Sequence, residues 1–255
     1  MRLAGRFTSS RPSRKSSEQM DYESDFQEGY TDSSLGKIYY RRHRADGAKF
    51  IFIHGLGGTT KVWAKLVGYI PGEFDVSLID LLGHGKSAVP EDINYTISEQ
   101  VQILQEFIAD QNNGSSFIVG HSYGAWVAAY YASYPYPASG FVLADSAGMQ
   151  ELDEREKEEF LRKLLMANNK EYVMRSILNS PKEEMLSRDI LSKIKKPTLI
   201  IWGSSDTTVD PKYASTLREG IKGSKLIIID GAGHNPHYTS PERFAQAILE
   251  FVNSM

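Results

Sequence analysis

The chain has 255 residues and no cysteine. Disulfides, a thiol nucleophile and thiolate metal ligation are excluded together, and the compartment is left open. No apolar run approaches the roughly 18 residues that a membrane span requires. Neither sign of charge is in large excess: 29 Lys and Arg stand against 32 Asp and Glu, a formal net charge of −3. That balance carries no footprint for nucleic acid. Metal-ligand spacings, a phosphate loop and a dinucleotide fingerprint are missing, and Gly55-Leu56-Gly57-Gly58 lacks the glycine spacing of the last. No internal repeat is visible. The expectation is a protein without metal or cofactor, acting on a small molecule. No nucleic-acid partner and no integral membrane segment are expected, and the expected state is a monomer or homodimer.

What is present is ordinary globular composition, 41% hydrophobic and 24% charged, in a chain long enough to bury a large core. The beginning differs. Met1 to Ser17 carries Arg2, Arg6, Arg11, Arg14, Lys15 and five serines but no acidic residue. Residues 1–24 read as a disordered basic tail, with structure starting near Asp25. Organelle targeting is the other reading of such a stretch; otherwise the expected location is cytoplasmic. Strands are expected at Phe26–Thr31 and Lys37–His43 around the turn Ser34-Leu35-Gly36. Short apolar runs at Phe50–Ile53, Ser116–Val119, Phe141–Ala144, Pro197–Trp202 and Lys225–Asp230 suit buried strands.

Gly120-His121-Ser122-Tyr123-Gly124 lies between one of these strands and the alanine-rich Ala125–Ala132, which suits a helix. A serine on such a turn is exposed at the helix N-terminus, and its flanking glycines allow the backbones to approach. Its hydroxyl needs a base, and the base needs a carboxylate. His234, in Gly231-Ala232-Gly233-His234 after a strand, is the candidate base. His237, beyond Pro236, reads as a pocket-rim or surface residue. Asp206, in Gly203-Ser204-Ser205-Asp206, is the candidate carboxylate, with Asp145 as its competitor; Asp210 before Pro211 reads as the start of a turn or helix. The glycines after Phe50–Ile53 free backbone N–H groups, so Leu56 and Tyr123 are the expected oxyanion donors. His54 is expected to fix that loop through its ring nitrogens.

These residues resemble the α/β-hydrolase superfamily over roughly Phe26 to Val252. The matching marks are His54-Gly55-Leu56-Gly57-Gly58, Asp80 to Ser87, Gly120 to Gly124, Gly203 to Asp206 and Gly231 to His234, with the nucleophile, acid and base in the superfamily's order. Leu82 stands where many relatives carry arginine. The resemblance implies a mostly parallel eight-stranded sheet flanked by helices, residues 25–147 and 193–255 forming the core. It also implies a small helical cap at 148–192. Serine at position 122 disfavours the members with an aspartate nucleophile.

Within 148–192, Glu151–Glu159 opens a charged helix whose Phe160, Leu161, Leu164 and Leu165 share one face; Glu171–Leu178 is a second helix, broken by Pro181. Trp63, Met149, Met166 and Met174 are the candidate substrate contacts, methionine being adaptable to irregular apolar shapes. The expected activity is cleavage of carboxylic esters of small to medium, apolar acyl groups through an acyl-enzyme. A carbon–carbon hydrolase, aminopeptidase or lactonase using the same triad is the alternative, and a ligand receptor with little turnover is the rival of another class.

Overall fold

The computed structural model describes residues 19–111, 115–167 and 169–255. One sheet is built from β1 (Gln27–Ser33), β2 (Gly36–His43), β3 (Lys49–Ile53), β4 (Asp75–Ile79), β5 (Ser116–His121), β6 (Gly140–Ala144), β7 (Thr198–Gly203) and β8 (Lys225–Ile229). Its order is β1-β2-β4-β3-β5-β6-β7-β8. β2 is antiparallel to β1 and β4, and every later pairing is parallel. The eight-stranded, mostly parallel α/β sheet expected from the sequence is present.

Parallel strands are covered on both faces, which is why they read as continuous apolar runs. Alternation still decides the side. Ile51 and Ile53 of β3, with Ile200 and Trp202 of β7, face one core; Phe50, Phe52, Leu199 and Ile201 face the other. Helices α1 (Ala64–Val67), α2 (Ile97–Asp110) and α3 (Tyr123–Ala132) precede β6. The first core holds Val101, Leu104 and Phe107 of α2 and the alanines of α3. The second holds Leu66 and Val67 of α1 and Phe244, Ile248 and Phe251 of the C-terminal helix. A capping box between Thr96 and Glu99 sets the start of α2.

Between β6 and β7 the chain forms α4 (Glu154–Met166), α5 (Glu171–Leu178) and α6 (Arg188–Ser192). Helix α4 begins three residues after Glu151, because Asp153 and Glu156 close a capping box there. After β7 come α7 (Lys212–Gly220), α8 (Pro236–Thr239) and α9 (Pro241–Asn253). Among the described residues, no helix is long and apolar enough to cross a membrane.

The expected tail boundary is corrected in part. Residues 1–18 lie outside the described ones, but 19–24 do not belong with a tail. Gln19 bridges Pro71, Met20 and Tyr22 are buried in the second core, and Tyr22 Oη lies 3.0 Å from Thr60 Oγ1. The apolar side chains at positions 20, 22 and 26 carry this segment over the sheet edge, with Arg41 stacked 4.1 Å above the Tyr22 ring.

Arg42 on β2 makes a two-pronged pair with Asp75 on β4, Nε to Oδ1 at 2.9 Å and Nη2 to Oδ2 at 2.8 Å, and both are buried. Arg42→Ala leaves that carboxylate sealed without its cation and is expected to cost about 3–5 kcal/mol in urea unfolding. Arg42→Met together with Asp75→Leu is expected to recover most of the loss.

Four histidines, His54, His84, His121 and His237, are also buried. Burial holds His54 down to about 4 and His84 and His237 to about 3, and it drives His121 well below the ordinary value of 6.5. Asp145 goes the other way. Burial pushes it up to about 9 against the pull of the Gly203 N–H, and Asp206 adds to the rise. Unfolding therefore releases four histidines that bind protons below their ordinary range, and one aspartate that gives its proton up. The unfolded state gains a net three protons, so stability falls as pH drops below about 6.5, by at most about 4 kcal/mol per pH unit. Urea midpoints measured between pH 7 and 4.5 check the slope; a flat profile would contradict it.

Candidate active site

The turn from β5 into α3 is built by close approach. A Cβ on Gly120 would lie 2.3 Å from Gly124 O, and one on Gly124 would lie 2.3 Å from Ile53 O. Both positions must therefore be glycine for α3 to sit on the ends of β3 and β5. Ser122 between them has φ 52° and ψ −113°, a backbone that a side-chain-bearing residue rarely adopts. Its N–H is held by Ala144 O at 2.9 Å, and its carbonyl accepts from Ala125, Trp126 and Ala147. The strained turn is thereby fixed from three sides, and the side chain points into a cavity.

Loops after β7 and β8 bring the partners. His234 Nε2 lies 3.0 Å from Ser122 Oγ, and its Nδ1 lies 2.8 Å from Asp206 Oδ2. Because an ionised carboxylate only accepts, Nδ1 carries the proton and Nε2 is free to accept from the serine. Thr208 and Val209 donate their N–H groups to Asp206 Oδ1 at 2.7 and 3.0 Å. Burial raises Asp206, but the hydrogen bond and charge of His234 with these two N–H groups outweigh it, and the carboxyl lies below its ordinary range. The His234 loop is fixed in turn by His121, whose Nε2–H donates to His234 O at 2.6 Å.

Leu56 and Tyr123, the expected oxyanion donors, both border the cavity beside Ser122. Among the described residues neither N–H has a protein acceptor. His54 does what was expected. Its Nε2 accepts from Leu81 N at 3.0 Å, so Nδ1 carries the proton and donates to Gly55 O at 2.8 Å, tying the glycine loop to the start of the Asp80–Ser87 segment. Asp80 pins the same corner by accepting from Thr60 N and Lys86 N.

The competing carboxylates separate cleanly. Asp210 accepts from Lys212 N and helps start α7. Asp145 is fully buried and accepts from Gly203 N at 2.9 Å rather than from His234. His237 is not at the rim. It is buried between the rings of His121 at 4.3 Å and Trp63 at 4.6 Å, because α8 turns it back under the His234 loop. Asp145, Asp206 and His234 place three ligand-type atoms within 4.8 Å of one another. His234 Nδ1 is already engaged by Asp206, so the cluster reads as a hydrogen-bonded relay rather than a cation cage.

Over Ser122 opens a cavity of about 790 Å³. Leu56, Trp126, Phe160, Ile177, Met185 and Val209 supply apolar lining, while Glu151, Glu154, Lys157 and Lys182 supply charged lining. None of the four expected contacts borders it. Trp63 is buried on the other face of the sheet against Phe52, and Met174 is buried where the inserted helices meet the first core. Met149 packs beside that core, and Met166 is 89% exposed at the end of α4. Met185 is the methionine that reaches the cavity. Trp126 could have been found in the sequence, since it lies four residues after Ser122 and so shares its side of α3. The charged run of α4 is more than a solvated face, because its first turns line the cavity too.

What holds the insertion over the serine had no sequence signal. Glu184, between α5 and α6, accepts from Ile97 N at 2.8 Å and Ser98 N at 3.1 Å, the first turn of α2. Its carbonyl also takes the Trp126 indole N–H at 2.8 Å. A carboxylate at a helix N-terminus meets unpaired N–H groups and the positive end of the helix dipole.

Comparison with known proteins agrees with this architecture. The chain is 23% identical to a monoacylglycerol lipase of Homo sapiens over 80% of its own length and 75% of that protein's. It is 25% identical to lipase 3 of Moraxella sp. (strain TA144), over 78% of this chain and 75% of the other. Among solved structures, the lip1 protein from Acinetobacter baumannii AYE superposes with a TM-score of 0.76 at 20% identity, covering 90% of this chain and 92% of that one. A bromoperoxidase from Bacillus anthracis gives 0.79 at 21% identity, covering 89% and 100%. A family model matches residues 50–247, a span from β3 into α9 that holds the serine elbow and both partner loops, and the chain belongs to the alpha/beta hydrolase family.

Proposed function

We propose that this chain is a serine hydrolase of carboxylic esters with an apolar acyl group. The observation that carries the reading is the bonded series Ser122 Oγ, His234 and Asp206, opening into a cavity whose lining is apolar on one side. In the first half-reaction Ser122 Oγ attacks the ester carbonyl carbon as His234 Nε2 takes the hydroxyl proton. The electron pair of the C=O bond moves to its oxygen, and the N–H groups of Leu56 and Tyr123 receive that charge. Collapse of the intermediate breaks the ester C–O bond, and His234 returns its proton to the leaving alcohol. Water, deprotonated by His234, repeats the attack on the acyl-serine and releases the acid.

Substrate class follows from the walls. Inserted helices form a cap over the serine, and Trp126, Phe160, Ile177 and Met185 suit an acyl chain. The lipase relatives act on esters by their names, which supports the same reaction class. A carbon–carbon hydrolase would be favoured by a cationic clamp beside the nucleophile. Arg175 is instead paired with Glu158 and Glu171, and Lys182 with Glu151. The ester reading is therefore preferred.

Steady-state hydrolysis of p-nitrophenyl esters graded in acyl length tests it. Ser122→Ala is expected to lose at least about 10⁴-fold in kcat/KM while folding normally. Asp206→Asn presents an amide to His234 Nδ1, disfavours the required tautomer, and is expected to lose on the order of 10³–10⁴-fold. Phe160→Ala is expected to weaken long acyl esters more than acetate. A folded wild type inert on every ester would end the esterase reading. Slow turnover with tight ligand binding would point to a receptor.

A further inference from the structure

We propose that Asp145 is held as a neutral carboxylic acid whose proton faces Asp206, making it a positioning residue for the carboxylate that orients His234. This rests on the reading of Ser122, His234 and Asp206 as a catalytic relay.

The geometry carries it. Asp145 immediately follows β6, is fully buried, and has φ 44°, a left-handed backbone that aspartate and asparagine tolerate better than most residues. Its Oδ1 is satisfied by Gly203 N–H at 2.9 Å; Oδ2 is buried and accepts from nothing. A carboxylate oxygen of Asp145, one of Asp206 and a ring nitrogen of His234 all lie within 4.8 Å of one another. Two ionised carboxylates at such separation, away from water, repel each other and lack solvation. Asp206 is the one that keeps its charge, because His234, Thr208 and Val209 all donate to it. Asp145 has a single donor. A proton on Oδ2 removes the repulsion and turns the unpartnered atom into a donor. Asp206 can accept it, since each carboxylate oxygen has two lone pairs and Oδ2 of Asp206 receives only His234.

The groups facing Asp145 are thus Asp206 from the loop after β7 and His234 from the loop after β8. His121, on β5, stacks its ring 5.0 Å from that of His234. His121 is kept neutral by burial. The arrangement stiffens the acid end of the relay: Asp206 is gripped by two backbone N–H groups on one oxygen, and by the imidazole and a carboxyl proton on the other.

Asp145→Asn and Asp145→Gly decide it. Both suit the left-handed backbone, so their difference reads the side chain. Asparagine keeps an acceptor for Gly203 N–H and presents an N–H toward Asp206; glycine removes both. Infrared difference spectra of wild type against Asp145→Asn at pH 7 are expected to show the C=O band of a protonated carboxyl lost in the variant. The acidic limb of kcat/KM, which reports the catalytic base, is expected to coincide in Asp145→Asn and wild type. In Asp145→Gly it moves to higher pH, because Asp206 recovers its full charge, and kcat/KM falls on the order of ten- to a hundredfold as the relay loosens.

Absence of the protonated band overturns the proposal. So does a limb displaced to lower pH in Asp145→Asn, the mark of a lost negative charge, or an Asp145→Gly enzyme indistinguishable from wild type. Should the glycine variant not fold, as judged by circular dichroism, the band and the asparagine limb still decide. Failure of the relay reading is separate: Ser122→Ala would then keep its activity, whatever the state of Asp145.

Discussion

The site depends on one steric constraint, the contact of α3 with the C-terminal ends of β3 and β5. Gly120 and Gly124 face each other across the Ser122 turn, and the helix comes to rest against the carbonyls of Ile53 and His54. A side chain at either position would push α3 outward and take the serine away from the strand ends. The strained φ of Ser122 is a consequence of that packing, and four hydrogen bonds to its backbone keep it. With α3 seated, Tyr123 and Leu56 after β3 border the same cavity as Ser122. Parallel strands deliver the partner loops to this edge, which explains how His234, 112 positions from Ser122, comes to touch it with Asp206 bonded behind.

Around this point the polar groups form a closed set. His121 holds the His234 loop, His54 holds the glycine loop against Leu81, and Asp80 holds the corner between Thr60 and Lys86. Each ring has a tautomer dictated by a backbone partner, and burial keeps the rings neutral. The same burial that makes the site stiff makes the fold sensitive to acid, because a buried neutral imidazole is a proton acceptor waiting for unfolding. Rigidity at the site and loss of stability at low pH share one cause.

The inserted helices are attached unevenly. Val173, Met174 and Ile177 of α5 are buried in the first core, and Glu184 is anchored on the N-terminus of α2. Helix α4 buries only Leu161 and Leu164 and, apart from Phe160 in the cavity wall, presents mostly charge. One side of the roof over Ser122 is thus part of the core, while the other is a charged helix laid across the cavity. The cavity lining is accordingly apolar on one side and charged on the other.

Much of this was legible in the residues. Strand runs such as Phe50–Ile53 and Pro197–Trp202 announce themselves because parallel strands are covered twice. The elbow was legible because its sterics demand glycine two residues either side of the serine, and the partners because Asp206 and His234 follow strands in glycine-containing loops. Helix caps at Thr96 and Asp153 are local chemistry as well. Other features came only from tertiary packing. An amphipathic pattern specifies which side of a helix is apolar but not the body it meets, so Met166 points to solvent, Met174 enters the core and Met185 reaches the cavity. Met20 and Tyr22 read as tail until Thr60 and Arg41 are placed beside them. His237 and Asp145 are ordinary letters in the chain; burial by segments distant in sequence pushes the first down and the second up. Short-range sterics are written residue by residue, so the strands, the turn and the chemical groups follow from the chain alone. Burial, charge state and the shape of the cavity were decided by the tertiary structure, because each is a sum over neighbours that only the folded chain brings together.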